Sequence, residues 1–322
     1  MPTRRFPQPF IDRYSQFIPD FDAFLDAMQR PLRRTFRVNT LKATRDQVLD
    51  LMADLKPEPL AWYELGFSLA RDMTESGSGD SDRVPSTSLG KRIEHFIGLI
   101  YVQEAASMVP PLVLQPQPGE RVLDIAAAPG SKTTQMSAMM QHTGLIISND
   151  PAPMRVRGLI GNIDRAGCLN VAVCRMDGAS LARMVTGTCD RVLVDAPCSS
   201  EGTIRKSPQA LDRWSVAAIE RLTSIQKRLI VAGYLALKPG GVMVYSTCTV
   251  APEENESVVA HLLDRQPEAE IRPAELPGLV TRPGLREWEG AEYPEAVGSC
   301  RRILPQDNDT EPFFLALIRR PS

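Results

Sequence analysis

Residues 120–135 read Glu-Arg-Val-Leu-Asp-Ile-Ala-Ala-Ala-Pro-Gly-Ser-Lys-Thr-Thr-Gln, and they decide how the rest of the chain is interpreted. The apolar residues within 121–125 predict a short buried strand. Pro129-Gly130 predicts a turn, and Ser131 is a favourable N-cap for a helix that runs to about Met140. A strand, a tight loop of small residues and a helix N-terminus together indicate a seat for a nucleotide-like ligand.

The spacing within this loop excludes two common ligand classes. It matches neither G-x-G-x-x-G nor G-x-x-x-x-G-K-[ST], which disfavours a plain dinucleotide or a triphosphate. A strand that ends in a Pro-Gly turn is also common where no ligand binds. The remainder of the chain must therefore decide between these readings.

The composition is that of an ordinary globular protein. The 322 residues suggest two domains, or one large domain with an extension, and 43% apolar residues can form a sizeable core. The net charge of −2 does not by itself indicate nucleic acid. Residues 1–42 differ, because eight Lys/Arg against four Asp leave a local charge of +4. Such a segment fits a nucleic-acid-binding patch, and it fits a solvated face without a partner equally well.

Cysteine usage and hydropathy predict the cellular setting. The six cysteines form no C-x-x-C pair and the three histidines lie far from them, so we expect no metal site and no disulfide framework. No apolar run approaches the roughly 18 residues of a membrane span. The first residues, Met-Pro-Thr-Arg-Arg-Phe-Pro, lack the hydrophobic segment of a signal peptide. We therefore expect a cytoplasmic protein with no membrane contact.

The N-terminal third predicts a small mixed lobe. Aromatic residues near helical spacing indicate one helical segment over 8–30, and Thr44 caps a helix over 44–55. Between them Phe36, Val38 and Leu41 predict a strand, with Arg33, Arg34, Arg37 and Lys42 along its exposed side and ends. Gly and Ser dominate about 75–88, which is typical of a mobile loop.

Strands and helices alternate from residue 121 onward. Strands are expected at 121–125, 144–149, 170–174, 190–195 and 241–246, and a last one at 312–318. Helices are expected at 131–140, 151–166, 215–236 and 253–264. This pattern predicts an α/β fold with a doubly wound, mostly parallel sheet and helices on both faces. Ligands of such sheets bind beyond the carboxyl ends of the strands.

Two carboxylates follow predicted strands at that edge. Asp150 lies at the distance from the loop where a carboxylate accepts both hydroxyls of a ribose, although it could also cap the next helix. Asp177 could accept from an adenine amino group, although Asp-Gly is also a common turn. Together they indicate an adenosine ligand without phosphates. S-adenosylmethionine fits this description better than a dinucleotide.

Two cysteines follow the next two strands, in Asp195-Ala-Pro-Cys198 and Ser246-Thr-Cys248-Thr249. Each alone could be an ordinary core residue. Together with Asp195 they define a reaction, because a thiolate that adds to carbon 6 of cytosine makes carbon 5 nucleophilic. An acid at N3, where Asp195 is expected, stabilises the adduct. Loss of the carbon 5 proton then needs a second polar group near the flipped-out base.

These motifs together resemble the Nop/Sun family of RNA 5-methylcytosine methyltransferases, and most closely its bacterial small-subunit rRNA branch. The resemblance covers Phe6 to about Arg320. It includes Phe36-Arg-Val-Asn-Thr-Leu-Lys42, Tyr101-Val-Gln-Glu-Ala-Ala-Ser-Met108 and Pro252-Glu-Glu-Asn-Glu256 besides the loop and cysteine motifs. It implies a class I, Rossmann-like methyltransferase fold.

The resemblance also implies a set of site residues. Cys248 is the expected nucleophile, Cys198 promotes product release, and Asp195 and Lys132 complete the catalytic group. A thiolate at Cys248 would be favoured by the nearby Lys132. The expected S-adenosylmethionine contacts are Ala126, Ala127, Ala128, Pro129, Gly130, Ser131, Lys132, Asp150, Asp177 and Asp195. The expected RNA contacts are Arg33, Arg34, Arg37, Asn39, Lys42, Arg205 and Lys206.

The organisation expected is an N-terminal RNA-binding lobe at 1–97 and a catalytic domain at 98–322, acting as a monomer. No counterpart of the C-terminal PUA-type RNA-binding domain of many relatives is expected, so the N-terminal region would do more of the RNA binding. Pro312 departs from the family pattern of the last strand, and Ser131 replaces a usual glycine. The expected substrate is rRNA. The alternatives are tRNA, or a catalytically silent RNA-binding assembly factor.

Overall fold

The N-terminal part of the chain forms a small antiparallel sheet with short helices around it. The structure is a computed structural model that describes residues 6–70 and 89–322, so the loop expected at about 75–88 lies outside the described residues. The elements are α1 (Gln8–Tyr14), α2 (Phe21–Gln29), β1 (Thr35–Val38), α3 (Arg45–Leu51), β2 (Glu58–Leu60), β3 (Tyr63–Ser68), α4 (Ile93–Phe96) and β4 (Ile100–Val102).

The sheet of this lobe has the strand order β2-β3-β1-β4 in the described residues. Its central strand β1 carries Phe36 and Val38 into a core with Phe67 and Ile100. The edge strand β4 lies beyond residue 97 and still pairs with β1, with Phe36 opposite Val102. Thr44 caps α3 as expected, and its side chain accepts a hydrogen bond from the Gln47 N–H.

The single helix expected over 8–30 is wrong. The chain forms α1 and α2 separately, because Pro19 has no N–H to donate and Asp20 adopts a left-handed conformation with φ 51°. The aromatic residues of both helices still face inward, as their spacing predicts. Phe10, Tyr14 and Phe24 pack against Ile204 and Val250 of the second half of the chain.

The second half forms the expected α/β sheet, and its class is confirmed. Its elements are α5 (Val109–Leu114), β5 (Arg121–Asp124), α6 (Ser131–Met139), β6 (Leu145–Asn149), α7 (Pro153–Ala166), β7 (Val171–Cys174), α8 (Gly178–Met184), β8 (Cys189–Asp195), α9 (Val216–Ala236), β9 (Leu237–Thr247), α10 (Glu256–Arg265), β10 (Glu270–Arg272), β11 (Arg282–Pro283), β12 (Glu287–Trp288), β13 (Ala291–Glu292), β14 (Arg301–Ile303), α11 (Pro305–Asn308) and β15 (Phe313–Arg319).

The strand order along this sheet is β11-β14-β15-β9-β8-β5-β6-β7. Strands β9, β8, β5, β6 and β7 are parallel, and β15 lies antiparallel between β9 and β14. Apolar side chains fill both faces, with α8, α9 and α10 on one side and α5 and α6 on the other. The parallel arrangement brings the ends of β5, β6, β8 and β9 to one edge. Within the part of the chain described, no helix is long and apolar enough to cross a membrane.

Candidate active site

The loop between β5 and α6 follows the expected course with one correction. The N-cap of α6 is Gly130, with φ 103°, and Ser131 is the first helical residue. A side chain at position 130 would be strained, since a Cβ there would also lie 2.9 Å from Leu159 Cδ1. The Ala127 N–H donates to the Asn149 carbonyl at 2.7 Å and the Gly130 N–H to the Ala127 carbonyl at 2.7 Å. The loop is thus folded tightly against β6.

Lys132, in the first turn of α6, lies at the centre of a hydrogen-bonded group. Its Nζ donates to Asp195 Oδ2 at 2.7 Å and to Ser107 Oγ at 3.0 Å. Asp195 Oδ1 accepts from Ser246 Oγ at 2.7 Å. Burial alone would lower the pKa of Lys132, but the Asp195 carboxylate outweighs burial and raises that pKa above its usual value. Lys132 is therefore a cation whose position is fixed by its partners.

The two cysteines of the motifs meet beyond the ends of β8 and β9. These strands pair in parallel with Asp195 opposite Ser246, which places the loops that follow them side by side. Cys198 Sγ and Cys248 Sγ are 3.3 Å apart and share a hydrogen bond. Both side chains are partly accessible to solvent. The structure thus brings Cys198, Cys248 and the Lys132–Asp195 pair to one edge of the sheet.

That Lys132 favours a thiolate at Cys248 stays a prediction, and two other influences act against the thiolate in this structure. Its hydrogen bond with Cys198 and its burial raise the pKa of Cys248 well above the usual value. Lys132, which is paired with Asp195, interacts with Cys248 but does not outweigh these influences on the pKa of the thiol. Cys248 is consequently a thiol before substrate binds.

Asp150 presents a free carboxylate oxygen beside the loop. Its Oδ1 accepts from the Ala152 N–H at 2.9 Å, while Ala152, and not Asp150, is the N-cap of α7. Its Oδ2 is buried without a hydrogen bond, although Arg155 Nη1 lies 3.3 Å away. The ion pair with Arg155 offsets part of the cost of burying this oxygen, which still lacks a hydrogen-bond donor. This oxygen therefore fits a ligand that brings its own hydroxyl groups.

Asp177 has a partner within the chain. It is exposed and caps α8, accepting from the Ser180 N–H and hydroxyl, each at 2.9 Å. These hydrogen bonds lower the pKa of Asp177. A local role is thus evident for Asp177, and the contact to an adenine stays a prediction.

Three of the expected RNA contacts must be corrected, because their side chains are buried. Arg37 is 1% exposed and donates to Gln103 Oε1 at 2.9 Å and Thr134 Oγ1 at 2.5 Å. Asn39 donates to the carbonyls of Gly98 and Ala166, each at 2.8 Å. Arg205 donates to the Thr310 carbonyl and to Asp309, each at 2.8 Å. These residues join the lobe to the catalytic sheet or brace a loop, and their polar groups are bonded within the protein; Arg205 also lines the groove described next.

The other basic residues expected to contact RNA lie at two separate places on the surface. Arg33, Arg34 and Lys206 line a groove of about 490 Å³ whose other walls include Thr35, Gln103 and Glu104. Lys42 is exposed on a different part of the lobe, where its Nζ donates to the carbonyls of Ile97 and Arg165. The groove adjoins the catalytic group, since Glu104 Oε2 accepts from the N–H of Ser107, the partner of Lys132.

The sequence interpretation missed Ser107 and Ser246 as partners of the catalytic pair. Both lie inside motifs quoted above, at the end of Tyr101–Met108 and at the start of Ser246–Thr249, but neither motif shows which residue touches Lys132 or Asp195. Arg155 was also missed. Its Nη2 donates to the Ala128 carbonyl at 2.7 Å, which ties α7 to the loop.

A Rossmann-like sheet with a nucleoside seat and reactive side chains at one edge defines the class I methyltransferases. The family described as 16S rRNA methyltransferase RsmB/F matches residues 111–319, and the N-terminal domain of 16S rRNA methyltransferase RsmF matches residues 6–105. The chain belongs to this RsmB/F family of RNA methyltransferases, and the expected Nop/Sun membership is confirmed.

Named relatives agree with this membership. The chain is 44% identical to the tRNA (cytosine(49)-C(5))-methyltransferase of Pyrococcus abyssi, over 99% of this chain and 97% of that protein. It is 41% identical to ribosomal RNA small subunit methyltransferase F of Citrobacter koseri, over 98% of this chain but only 63% of that protein. A methyltransferase homologue from Pyrococcus horikoshii, known from its crystal structure, superposes with a TM-score of 0.83 at 34% identity, covering 98% of this chain and 95% of that one.

Proposed function

We propose that this protein transfers a methyl group from S-adenosylmethionine to carbon 5 of a cytosine in RNA. The observation that carries the proposal is the meeting of two thiols, 3.3 Å apart, with the Lys132–Asp195 pair at the edge where the nucleoside seat also lies. Membership of the RsmB/F family supports the same reaction class.

The residues of the seat fit S-adenosylmethionine. The loop 126–130 is built of small residues folded close to β6, and Asp150 Oδ2, which has an ion pair with Arg155 but no hydrogen bond, is suited to accept from ribose hydroxyls. Ala126 to Lys132, Asp150 and Asp195 would surround the ligand, with Asp177 as the further contact that the resemblance implies. When bound, S-adenosylmethionine supplies an electrophilic methyl group on its sulfonium.

Cys248 would act as the nucleophile toward carbon 6 of the cytosine. Because Cys248 is a thiol at rest, its proton must leave as the S–C6 bond forms, and the step balances when a proton is bound at N3 of the cytosine. The electron pair of the C5–C6 double bond moves toward N3 through the ring. Asp195, next to protonated Lys132, would donate that proton to N3 as the carboxylic acid, and the proton released by Cys248 restores it, so that no negative charge builds up on the ring.

Cys198 would also act in the release of product. After carbon 5 carries the methyl group, a base removes the carbon 5 proton, the C5–C6 double bond re-forms, and the S–C6 bond breaks with its electron pair returning to Cys248. The thiol of Cys198 is adjacent to that sulfur and can give its proton to Cys248 as the S–C6 bond breaks; the Cys198 thiolate then regains the proton that was removed from carbon 5.

Ribosomal RNA is the substrate expected from the sequence, and tRNA is a second candidate. The specific observation that favours tRNA is the near full-length match to the Pyrococcus abyssi tRNA enzyme, against 63% coverage of the Citrobacter koseri rRNA enzyme. The groove beside Arg33, Arg34 and Lys206 is suited to a phosphate backbone of either RNA.

The test is transfer of labelled methyl groups from S-adenosylmethionine into unmodified rRNA, assembled small subunits and tRNA, each assayed separately. Incorporation into 5-methylcytosine is expected with the wild-type chain and is expected to vanish in Cys248→Ala. Cys174→Ala is the matched control, since Cys174 is also partly buried but lies at the end of β7. Transfer that survives Cys248→Ala would refute the nucleophile. RNA binding without transfer to any substrate would favour the silent assembly factor.

A further inference from the structure

A side chain outside the catalytic group, that of Glu201, contacts the segment that follows Cys248 and lies three residues after Cys198; the two sulfur atoms are 3.3 Å apart. Glu201 opens the short 3₁₀ helix Glu201–Arg205, three residues after Cys198, and is 1% exposed. In the described residues it forms no ion pair with any cation. A buried carboxylate in such a position is stabilised by hydrogen bonds alone.

Four donors converge on this carboxylate. Oε2 accepts from Thr249 Oγ1 at 2.7 Å and from the Val250 N–H at 3.0 Å. Oε1 accepts from Trp214 Nε1 at 2.6 Å and from the Tyr14 hydroxyl. Thr249 and Val250 directly follow Cys248, whereas Tyr14 belongs to α1 and Trp214 follows the 3₁₀ helix Pro208–Arg213. One side chain thus joins the loop of Cys198, the loop of Cys248 and the N-terminal helix.

The adjacent backbone completes the attachment. The Gly202 N–H donates to the carbonyl of Cys248 itself at 2.8 Å, and Ser199 Oγ donates to Thr249 Oγ1 at 3.0 Å. Residues 248, 249 and 250 are therefore each bonded to the segment 199–202. These bonds hold together the two backbone segments that carry the sulfur atoms.

We infer that Glu201 is a positioning residue that sets the spacing of the Cys198–Cys248 pair. A carboxylate is required because all four partners donate. Glutamine would turn its NH₂ group toward one pair of partners, where the hydroxyl can reverse and accept but the N–H of Trp214 or Val250 loses its acceptor. The meaning of this spacing for methyl transfer rests on the proposed function, but the spacing itself does not.

Phenylarsine oxide tests the spacing without RNA or methyl donor. It condenses with two neighbouring thiols to form two As–S bonds and releases one water, so its retention reports whether both sulfur atoms are close. The arsenical-bound protein is titrated with a small competing dithiol, and intact mass shows how much arsenical stays bound. The quantity compared between variants is the dithiol concentration that removes half of the arsenical. Cys198→Ala supplies the baseline for a single thiol.

The expected result for Glu201→Gln is release at about tenfold lower dithiol, because one buried N–H donor, that of Val250 or Trp214, then faces the NH₂ group without an acceptor. Thr249→Val, which removes one donor beside Cys248, should lower it about threefold. Tyr14→Phe is the matched control, since it removes a donor to Oε1 of the same carboxylate, the oxygen that does not contact the Cys248 loop. The dithiol concentration for half release should stay within about twofold of the wild-type value.

The outcome for Thr249→Val keeps the inference testable if Glu201→Gln does not fold. Wild-type release in folded Glu201→Gln, or in Thr249→Val, would overturn the positioning role. If Tyr14→Phe lowered the dithiol concentration for half release as much as Glu201→Gln does, the positioning role would also be overturned, because the effect would then be a general loss of stability. Arsenical retention with no methyl transfer by the wild-type chain would leave Glu201 in its role and refute the proposed function instead.

Discussion

Replacing Arg33, Arg34 and Lys206 together by glutamine should flatten the salt dependence of RNA binding. The three residues line one groove, and each phosphate that a cation neutralises contributes about 0.7 to 0.9 to the slope of log affinity against log salt. If each contacts one phosphate, the variant loses about 2 to 3 from that slope. Between 50 and 200 mM KCl, wild-type affinity should then fall about 15- to 60-fold more than that of the variant.

The assay is fluorescence anisotropy of a labelled RNA that the wild-type chain binds, titrated at several KCl concentrations. Lys42→Gln is a matched control, because Lys42 is basic and exposed in the same lobe but lies away from the groove. Arg37→Gln is a second control that should lower stability without changing the slope, since Arg37 is buried. A triple variant with the wild-type slope would refute the groove as a path for the RNA backbone.

Three further predictions concern single aspartates. Asp150→Asn should weaken S-adenosylmethionine binding, measured by calorimetry, at least about tenfold, since a hydrogen bond to a charged group contributes about 1.5–3 kcal/mol. Unchanged affinity would show that Asp150 does not bind the ligand. Burial raises the pKa of Asp124 from 3.8 to about 7, so the folded state keeps a proton that the unfolded state releases, and stability falls as pH rises from 5 to 8. Asp124→Asn lacks this loss, so the difference in unfolding free energy between the variant and the wild type should rise by about 3 kcal/mol over that pH range in urea titrations. Parallel pH profiles of the two proteins would contradict the reasoning. Asp177→Ala should cost about 1 kcal/mol of stability by thermal unfolding through loss of the α8 cap, and unchanged S-adenosylmethionine affinity in it would refute the adenine contact.

The catalytic sheet could be predicted because its signals are local. Short apolar runs separated by helical periodicity located β5, β6, β7 and β8 to within one residue at each end, and β9 begins four residues earlier than expected, at Leu237. The motifs also placed Lys132, Asp195, Cys198 and Cys248 at one edge, because the ends of neighbouring parallel strands must meet there. The structure brings these four together.

The partners of those residues could not be predicted, because they depend on contacts between distant segments. Arg37 looks like a member of a basic patch in the sequence, and its burial follows from the docking of β1 against α6, which brings it to Thr134. The state of Cys248 likewise depends on the Cys198 thiol rather than on Lys132. Glu201 carries no signal of its own, since its four donors come from residues 14, 214, 249 and 250.

The central place of β15 has a consequence for how the protein is made. This strand pairs with β9 along Phe314–Arg319, yet 72 residues separate its end at Arg319 from the end of β9 at Thr247. At about 5–20 residues per second, a ribosome needs about 4–14 s to synthesise that interval. During this time β9 presents an open edge, carrying Cys248 just beyond its end, to any other strand in the cell. Synthesis speed across residues 248–319 should therefore govern the yield of active enzyme, and slow translation there should favour association between nascent chains.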